Sequence, residues 1–329
     1  MKTSFAFLFK ALRKLYAKAS GSHILMPLPR ETDPDKASDM IYELLVQDKP
    51  CMIARFGSTE FAALVNYLGV NSPHRSVWKY IQGEQPEWWW NKNIMSQMQQ
   101  WSGFFPPTEA NMQRFGDLMM EDMKQLDLLG SWINNEYVVA NYIKQAKYVH
   151  LRLLEPFWSK EPWTRVLCGK RVLVVHPFSY IIEKQYQENR HKLFDNHDVL
   201  PEFYLQTIQA VQSLGGDSNG FADWFQALDW MKHEIDQRNY DIALIGCGAY
   251  GFPLAAHVKR QGKKAVHLGG SLQLLFGIIG RRWEDPNYGV KEWGIPEGSY
   301  TRLINEYWVR PGDVGKPRNA KEVEGACYW

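Results

Sequence analysis

The sequence predicts an α/β protein with a mostly parallel sheet that helices cover on both faces. Short, continuously apolar runs alternate with segments of helical periodicity, and glycine-rich turns follow several of the runs. Strands that are apolar at every position are typical of a parallel sheet buried on both sides. The chain shows no internal repeat and no low-complexity linker. We therefore expect a single domain over residues 23–329, preceded by a basic amphipathic segment at residues 1–22.

The first half of the chain is predicted to hold three helices and one strand. Met40, Ile41 and Leu45 recur at helical spacing within 34–48. A segment rich in Pro and Trp at 71–110 is expected to form loops with short helices. The other predicted elements are a strand at 51–55 and helices at 58–68 and 108–127.

The second half alternates more regularly between the two periodicities. The apolar run KRVLVVH at 170–176 is the clearest buried strand, and Trp224, Leu228, Met231 and Ile235 mark one face of a helix. The predicted strands lie at 137–139, 147–153, 170–176, 199–204, 240–246 and 264–268. The predicted helices lie at 180–192, 223–238 and 252–261.

Bulk composition argues against nucleic acid as a partner. The formal net charge is +2, so no strong global field attracts phosphate backbones. No apolar run reaches the roughly 20 residues of a membrane-spanning helix, and basic residues interrupt the apolar start, so we expect no secretory signal. The spacing of the four cysteines matches neither CxxC nor a zinc site, which favours a reducing, cytoplasmic compartment.

The N-terminal stretch MKTSFAFLFKALRKLYAKAS predicts a basic amphipathic helix. Two interpretations are open. The helix lies on an anionic membrane surface, at the inner face of the plasma membrane, or it packs on the protein's own body. The apolar positions at helical spacing are Phe5, Leu8, Phe9, Leu12 and Leu15, and the basic positions are Lys10, Arg13, Lys14 and Lys18.

A glycine-rich turn within YDIALIGCGAYGFPLAAHVKRQGKKAVHL is the strongest local motif. Gly246, Gly248 and Gly251 match G-x-G-x-x-G between a predicted strand and a predicted helix, as in a Rossmann-like unit. Glycines let the backbone turn sharply and approach a phosphate, which the helix N-terminus attracts. The pattern predicts a phosphate-binding loop.

The second strand of this unit lacks the acidic residue that a dinucleotide site requires. An NAD site carries Asp or Glu about 20 residues after the glycines, where it holds the ribose hydroxyls. Here the strand runs into Gly269 and Gly270 instead. The loop is therefore predicted to bind a phosphate but not a dinucleotide. The alternative is that the two tight turns bind no ligand.

Polar residues follow two other predicted strands, where ligands bind in open α/β sheets. Arg55 suits bidentate phosphate binding, Glu60 suits a divalent cation or general base, and His176 suits a base or a phosphate donor. Gly57 and Ser58 lie between the first two. The structural alternatives are that Ser58 caps a helix and that Glu60 is favoured by the helix dipole.

RFGSTE at 55–60 resembles the R-F-G-D-x-E element of bacterial glycosyltransferases with the GT-D fold, a family built on a domain of formerly unknown function. The resemblance covers most of residues 50–329, and the similar members are encoded with polysaccharide-assembly genes. The other stretches that carry it are WSGFFP, VLVVHPF, ALIGCGAYGFPLAAHVKRQGKKAVHLGGSLQLLFGIIGRRW and VEGACYW.

The resemblance implies a single GT-D-like domain that transfers a sugar from a nucleotide-sugar donor to a glycan or lipid-linked glycan acceptor in bacterial surface polysaccharide or glycoconjugate assembly. It also implies that an Asp-x-Glu element engages the donor through Mn²⁺ or Mg²⁺. Ser58 stands here at the Asp position and only Glu60 remains, which weakens the metal prediction. Arg281 or Arg282 are further cations for the leaving diphosphate, and the Trp-rich stretch 86–105 is an expected acceptor platform.

The candidate site combines both lines of reasoning. Two alternative functions are an NAD(P)-dependent oxidoreductase or epimerase and a non-catalytic nucleotide-binding scaffold. The catalytic candidates are Glu60, His176 and Arg55, with Glu60 also the metal candidate. The nucleotide-sugar-binding candidates are Gly57, Ser58, Gly246, Gly248, Tyr250, Gly251, Gly269 and Gly270.

Overall fold

Seven parallel strands form one sheet in the order β3-β2-β1-β7-β6-β4-β5, in a computed structural model that describes residues 3–20, 27–312 and Tyr328. The sheet confirms the predicted Rossmann-like α/β class. The strands are β1 (Cys51–Ala54), β2 (Leu128–Ser131), β3 (Lys147–His150), β4 (Arg171–His176), β5 (Tyr204–Gln209), β6 (Ile242–Ile245) and β7 (Lys264–His267).

Successive residues along the central strands enter two different apolar cores. In β1, Met52 packs into one core and Ile53 into the other, and both are fully buried. Side chains alternate across a strand, so each core lies on one face of the sheet. This is why the central strands are apolar at every position rather than at alternate positions.

Helices cover both faces of the sheet, as predicted. Helices α3, α5, α6, α8 and α9 contribute to the core that contains Met52, whereas α2, α7 and α10 contribute to the core that contains Ile53. The helices are α1 (Thr3–Ser20), α2 (Pro34–Val46), α3 (Ser58–Val70), α4 (Val77–Gln82), α5 (Lys92–Ser102), α6 (Glu109–Asp122), α7 (Ser179–Asn189), α8 (Trp224–Asp236), α9 (Gly251–Arg260), α10 (Leu272–Leu275), α11 (Arg281–Glu284) and α12 (Val290–Trp293).

The strand order creates a crevice at the carboxyl edge of the sheet. Strand β1 pairs with β2 on one side and with β7 on the other, through Ile53 opposite both Leu128 and Val266. The chain leaves β1 toward β2 and β3, crosses to the other side of β1 with β4, and fills the position beside β1 only with its last strand, β7. Ligands of open α/β sheets bind outside the strand ends at such a reversal.

Three strand predictions need correction, and one strand was missed. The strand predicted at 147–153 ends at His150, and a 3₁₀ helix, Leu151–Leu154, follows it. Residues 137–139 lie in a 3₁₀ helix, Glu136–Tyr142, because Glu136 folds back to accept a hydrogen bond from the Ser131 hydroxyl. The strand predicted at 199–204 begins only at its last residue, since the side chains of β5 are mostly half-exposed and its apolar signal is weak. Strand β2, with the four-residue sequence LLGS, was missed; the helix predicted at 108–127 ends at Asp122 and continues as a 3₁₀ turn.

The predicted N-terminal helix is present as α1, with a single basic residue, Lys18, in its last turn. Residues 1, 2, 21 and 22 of that segment lie outside the described ranges, as do Cys327 and all of VEGACYW except Tyr328. No helix among the described residues combines the length and apolar character that crossing a bilayer requires.

Candidate functional site

A cleft opens at the carboxyl ends of β1, β4, β6 and β7. Its volume is about 160 Å³, whereas one water needs roughly 10–15 Å³, so it has room for part of a small molecule. It gathers every sequence-predicted site residue except Gly251. The predicted residues that line it are Arg55, Gly57, Ser58, Glu60, His176, Gly246, Gly248, Tyr250, Gly269 and Gly270.

The N-terminus of α3 forms one wall of the cleft. Gly57, not Ser58, is the N-cap residue, and no side chain caps the helix. The capping alternative for Ser58 is therefore wrong. Phe61 supplies the first amide that bonds back to the Gly57 carbonyl, so the amides of the first turn have no intrahelical acceptor. Such an end attracts an anion through its free N–H groups and its dipole.

Glu60 folds back over the start of its own helix. A Cβ atom at position 57 would overlap the Glu60 carboxylate, which shows how closely that carboxylate approaches the start of the helix. The carboxylate forms no ion pair or hydrogen bond with another described residue, and it faces the cleft. Its position beside the helix amides is that of a dipole-favoured acid, but its free oxygens also make it available to a ligand.

Arg55 is a half-buried cation without a carboxylate partner among the described residues. Its guanidinium carbon lies 5.3 Å from the centre of the Trp132 ring. Trp132 is held in place by its Nε1–H, which donates to the carbonyl of Phe56 at 2.9 Å. The arginine also lies over Gly269, where a Cβ would sit 3.5 Å from its Cδ. A guanidinium held this way is directed toward an anionic group in the cleft.

Two of the three glycines of the first turn, Gly246 and Gly248, line the cleft. Gly248 has φ +56°, a left-handed conformation that favours glycine. A Cβ at Gly246 would lie 2.6 Å from the Gly269 carbonyl oxygen and 2.8 Å from His176, so the two turns and the histidine touch only because this residue is glycine.

Gly251 has a different role from the predicted one. It does not line the cleft, and a Cβ there would overlap the ring of His267 at the end of β7. The third glycine of the motif therefore allows close packing of helix against strand, as it does in dinucleotide-binding units.

The second glycine turn is closed from above by Tyr328. Gly269 has φ +66°, and a Cβ at Gly270 would overlap the Tyr328 ring. Arg282 lies 4.4 Å from the centre of the same ring, and both side chains line the cleft. The turn therefore contributes backbone surface where an NAD site would place an acid.

His176 is buried at the end of β4 as a neutral ring. Its Nδ1 accepts a hydrogen bond from the Phe178 N–H at 3.0 Å, which places the ring proton on Nε2. Burial lowers its pKa to about 3. A ring this weakly basic is a poor general base at neutral pH, so the geometry favours the alternative role of hydrogen-bond donor to an anion.

Tyr250 supports the cleft wall through a chain of hydroxyl groups. The Ser213 hydroxyl donates to the Gly103 carbonyl at 2.7 Å, so the Tyr250 hydroxyl must donate to Ser213, also at 2.7 Å. The tyrosine ring stacks on Trp224 at 4.9 Å. Burial raises the pKa of Tyr250, which makes it a fixed structural donor rather than an acid catalyst.

The predicted acceptor platform divides into two separate regions. Trp88 and Trp89 pack against Tyr80 and the N-terminal helix, with ring centres 5.6 and 5.3 Å from Tyr80. Trp101, at the end of α5, lines the cleft and is 40% exposed. Within 86–105, the stretch that reaches the cleft is therefore Trp101 with its neighbours Ser102 and Gly103.

The described residues do not enclose a metal ion by themselves. None of their His, Cys, Asp and Glu side chains come together in a group of three or more suited to a metal. Glu60 is the one carboxylate among the described lining residues. Mg²⁺ commonly relies on one or two carboxylates plus substrate phosphates. Glu60 thus offers one carboxylate to a cation that substrate phosphates would also bind.

Sequence reasoning missed several residues of the cleft. Trp132 follows β2, which was itself too short to detect. Gln273 is a buried polar residue within the apolar run LQLLFGII, a signal that was visible in the sequence. Its Nε2 donates to the carbonyls of Ile278 and Tyr328, while its Oε1 has no partner among the described residues. The other missed lining residues are Thr59, Pro177, Phe178, Val211, Gln212, Ser213, Leu214, Cys247 and Tyr328.

Comparison with protein-family models, curated proteins and solved structures found no match to this chain. The resemblance to GT-D glycosyltransferases therefore stays a prediction.

Proposed function

We propose that the chain is a nucleotide-sugar-dependent glycosyltransferase that acts on a glycan or lipid-linked glycan acceptor in bacterial surface polysaccharide or glycoconjugate assembly. The observation that carries the proposal is the convergence on one cleft of an unpaired guanidinium, a helix N-terminus and two glycine turns. These groups together suit a diphosphate. The aromatic side chains beside them suit a base or a sugar ring.

The arrangement fits a nucleotide-sugar better than a dinucleotide. Strand β7 is followed by Gly269 and Gly270 under the Tyr328 ring, where an NAD enzyme places a carboxylate on the ribose. A nucleotide-sugar needs its diphosphate held and its sugar exposed to an acceptor, and neither task requires that carboxylate. No feature of the cleft specifically favours the oxidoreductase or epimerase alternative.

The proposed reaction breaks the bond between the sugar C1 and the diphosphate oxygen and forms a bond from C1 to an acceptor hydroxyl oxygen. Arg55 and the amides after Gly57 stabilise the charge that develops on the leaving diphosphate. The Nε2–H of His176 donates to the same anion. Glu60 takes the acceptor proton or holds a sugar hydroxyl.

A divalent cation, when present, neutralises part of the diphosphate charge. Glu60 is the residue that would hold it, together with donor phosphate oxygens. Arg55 supplies a positive charge at the same edge, so the chain has its own means of stabilising the leaving group.

We assign the acceptor to the side of the cleft formed by Trp101 and the loop that contains Gln212 and Ser213. Trp101 is the most exposed large aromatic side chain on the described cleft wall. An exposed indole face stacks well on a sugar ring. The reaction is assigned to the cytoplasm, where nucleotide-sugars and reduced cysteines coexist.

A thermal-shift screen of the full chain tests the donor class. The panel holds UDP-, GDP-, dTDP- and CMP-sugars with NAD and NADP, each with Mn²⁺ or with EDTA. A ligand that binds the native state raises the melting temperature by mass action. We expect one nucleotide-sugar class to stabilise the protein. Stabilisation by NAD or NADP alone would overturn the proposal, and tight donor binding with no transfer or hydrolysis would favour the scaffold alternative.

A further inference from the structure

Helix α1 is fixed to the body of the protein along one face. Phe9 lies 6.0 Å from Trp88 between ring centres, and Tyr16 lies 5.9 Å from Trp78. At the middle of the helix Arg13 lies over the Tyr80 ring at 5.0 Å. These contacts recur every three or four residues, so they belong to one face of the helix. The segment is therefore a docked helix rather than a free arm.

An ion pair reinforces this attachment. Lys10 Nζ lies 3.2 Å from a carboxylate oxygen of Glu87, whose side chain is only 16% exposed. Lys10 and Arg13 are thus used against the body. The internal-packing alternative for this helix is correct for its inner face.

The solvent-exposed side of α1 carries large apolar side chains. Leu8 is 50%, Leu15 is 64% and Phe7 is 76% exposed. Leu8, Leu12 and Leu15 follow the i, i+4, i+7 spacing of one helical face. Exposed leucines scattered singly are ordinary, but an apolar stripe on a helix marks an interaction surface.

Helix α4 extends this surface beside α1. Trp78, which touches Tyr16, is 61% exposed, and its neighbour Val77 is 41% exposed. We call the combined surface the N-terminal apolar face; it consists of Phe7, Leu8, Leu12, Leu15, Val77 and Trp78.

Exposed basic residues accompany the N-terminal apolar face. Lys14 and Lys18 lie one turn apart on α1. Arg75 lies just before α4, and Lys79 lies within α4. None of the four forms an ion pair within the described part of the chain. The described part of α1 contains no acidic residue. The surface is therefore apolar, with exposed basic residues on α1 and at the start of α4.

We propose that the N-terminal apolar face inserts into the headgroup region of an anionic membrane. A basic amphipathic helix buries its apolar face at the boundary of headgroups and acyl chains, and its cations attract anionic lipids. The alternative occupant is a second copy of the chain. A symmetric contact through this face would bring two sets of like charges together, whereas an anionic membrane supplies the opposite charge.

Because α1 is already docked, membrane contact requires little further loss of conformational entropy. Free amphipathic segments lose conformational entropy when they fold on a surface. Here the contacts of Phe9, Arg13 and Tyr16 already hold the helix. Membrane binding therefore also fixes the orientation of the whole body, because the helix cannot swivel on a linker. This inference is independent of the proposed reaction.

Vesicle co-sedimentation of the full chain tests the proposal. The probes are phosphatidylcholine vesicles with and without about one-third phosphatidylglycerol. We expect binding to the anionic vesicles, weak binding to the zwitterionic ones, and loss of binding at high salt because exposed charges are screened. Failure of the full chain to bind anionic vesicles at low salt would overturn the proposal.

Two matched pairs of variants locate the surface. Lys14→Glu with Lys18→Glu removes two cations at the face, and Lys144→Glu with Lys170→Glu makes the same net charge change elsewhere on the exposed surface. Each cation at a membrane surface changes vesicle affinity about fivefold. The first pair of substitutions should therefore weaken vesicle binding on the order of 30-fold or more, and the second pair should weaken it far less. Equal losses of vesicle binding from both pairs would show that only the net charge of the protein matters, and would overturn the assignment of the membrane contact to the N-terminal apolar face.

The apolar contribution has its own pair, Leu15→Asp against Val46→Asp, two exposed positions on different helices. Leu15→Asp should abolish sedimentation, and Val46→Asp should not. Both variants should keep the wild-type melting temperature, since neither side chain is buried. Light scattering tests whether a second copy of the chain covers the face instead. A wild-type dimer that does not bind vesicles, and that Leu15→Asp converts to a monomer, would show that it does and would overturn the proposal.

Discussion

The amino and carboxyl edges of the sheet differ in the pairing of their charged residues. At the amino edge the charges are paired: Lys259 lies 2.6 Å from Asp127 and Arg171 lies 2.6 Å from Asp241. At the carboxyl edge, Arg55 and Glu60 have no charged partner among the described residues. Pairing stabilises a fold, while an unpaired charge in a cleft gains its partner from a ligand. The paired charges therefore contribute to the fold, and the unpaired ones line the candidate site.

The backbone shows the same division. Glycines at the carboxyl edge, such as Gly248 and Gly269, adopt left-handed conformations around the cleft. At the amino edge, the strand is anchored by side chains: Asp127 accepts from the Met52 N–H at 2.7 Å as well as from Lys259. Left-handed glycines therefore shape the carboxyl edge, whereas side-chain contacts anchor the amino edge.

The largest expected effect is on turnover in Glu60→Gln. The variant keeps the shape of the side chain but removes the base or cation ligand, and general acid–base groups typically contribute 10²- to 10⁴-fold. We expect a loss of that order in sugar transfer or donor hydrolysis, with an unchanged melting temperature. Glu188→Gln, on the exposed side of α7, is the control. Full activity in Glu60→Gln would remove this carboxylate from the mechanism.

The second prediction concerns the two buried histidines of the carboxyl edge. Burial lowers the pKa of His176 and of His267 to about 3, from an ordinary value of 6.5. Between these values the unfolded chain binds protons that the folded chain does not, so these histidines stabilise the fold fully above pH 6.5, and their contribution falls as the pH drops toward 3. Each contributes a slope of about 1.4 kcal/mol per pH unit.

Urea denaturation at several pH values measures this slope. His176→Gln should flatten it by roughly one histidine's share. Glu155 works in the opposite direction, since burial raises its pKa to about 7 and its carboxyl holds a proton in the fold that the unfolded chain releases above about 4.5. The measurement should therefore include Glu155→Gln. An unchanged slope in His176→Gln would show that this ring is not held neutral.

The third prediction is a loss of donor affinity in Arg55→Gln. Hydrogen bonds to charged groups contribute about 1.5–3 kcal/mol, so donor binding should weaken roughly 10- to 100-fold. Stability should change little, because the guanidinium has no acidic partner to leave behind. Calorimetric titration with the donor found in the screen measures the effect. Arg75→Gln, an exposed arginine that does not line the cleft, provides the comparison, and equal affinities in the two variants would place the phosphate elsewhere.

The smallest effect is expected at the amino edge, in Lys259→Met. The change leaves the half-buried carboxylate of Asp127 without its cation and should lower the free energy of unfolding by about 1–3 kcal/mol. Donor affinity should stay at the wild-type value. Chemical denaturation and the same titration together check this. A variant that loses donor binding while keeping its stability would contradict the division between the two edges.

Much of the site was predictable because its signals are local in the sequence. Glycine patterns and strand ends depend on a few consecutive residues, so Arg55, Glu60 and the turn at Gly246 could be placed together from strand order rules alone. Trp132 and Ser213 could not. They reach the cleft from β2 and from a loop after β5, and neither segment has a pattern strong enough to position it.

The sequence by itself determined the α/β class, the parallel sheet and the positions of the glycine turns, because apolar periodicity and backbone freedom are properties of short segments. Only the tertiary structure decided how individual residues are used. It placed Gly251 against His267, set the ring proton of His176 through the Phe178 amide, and divided α1 into a docked face and an exposed one. The first and third of these outcomes depend on contacts between segments distant in the chain. The second depends on the backbone conformation of the turn after β4, which apolar periodicity does not encode.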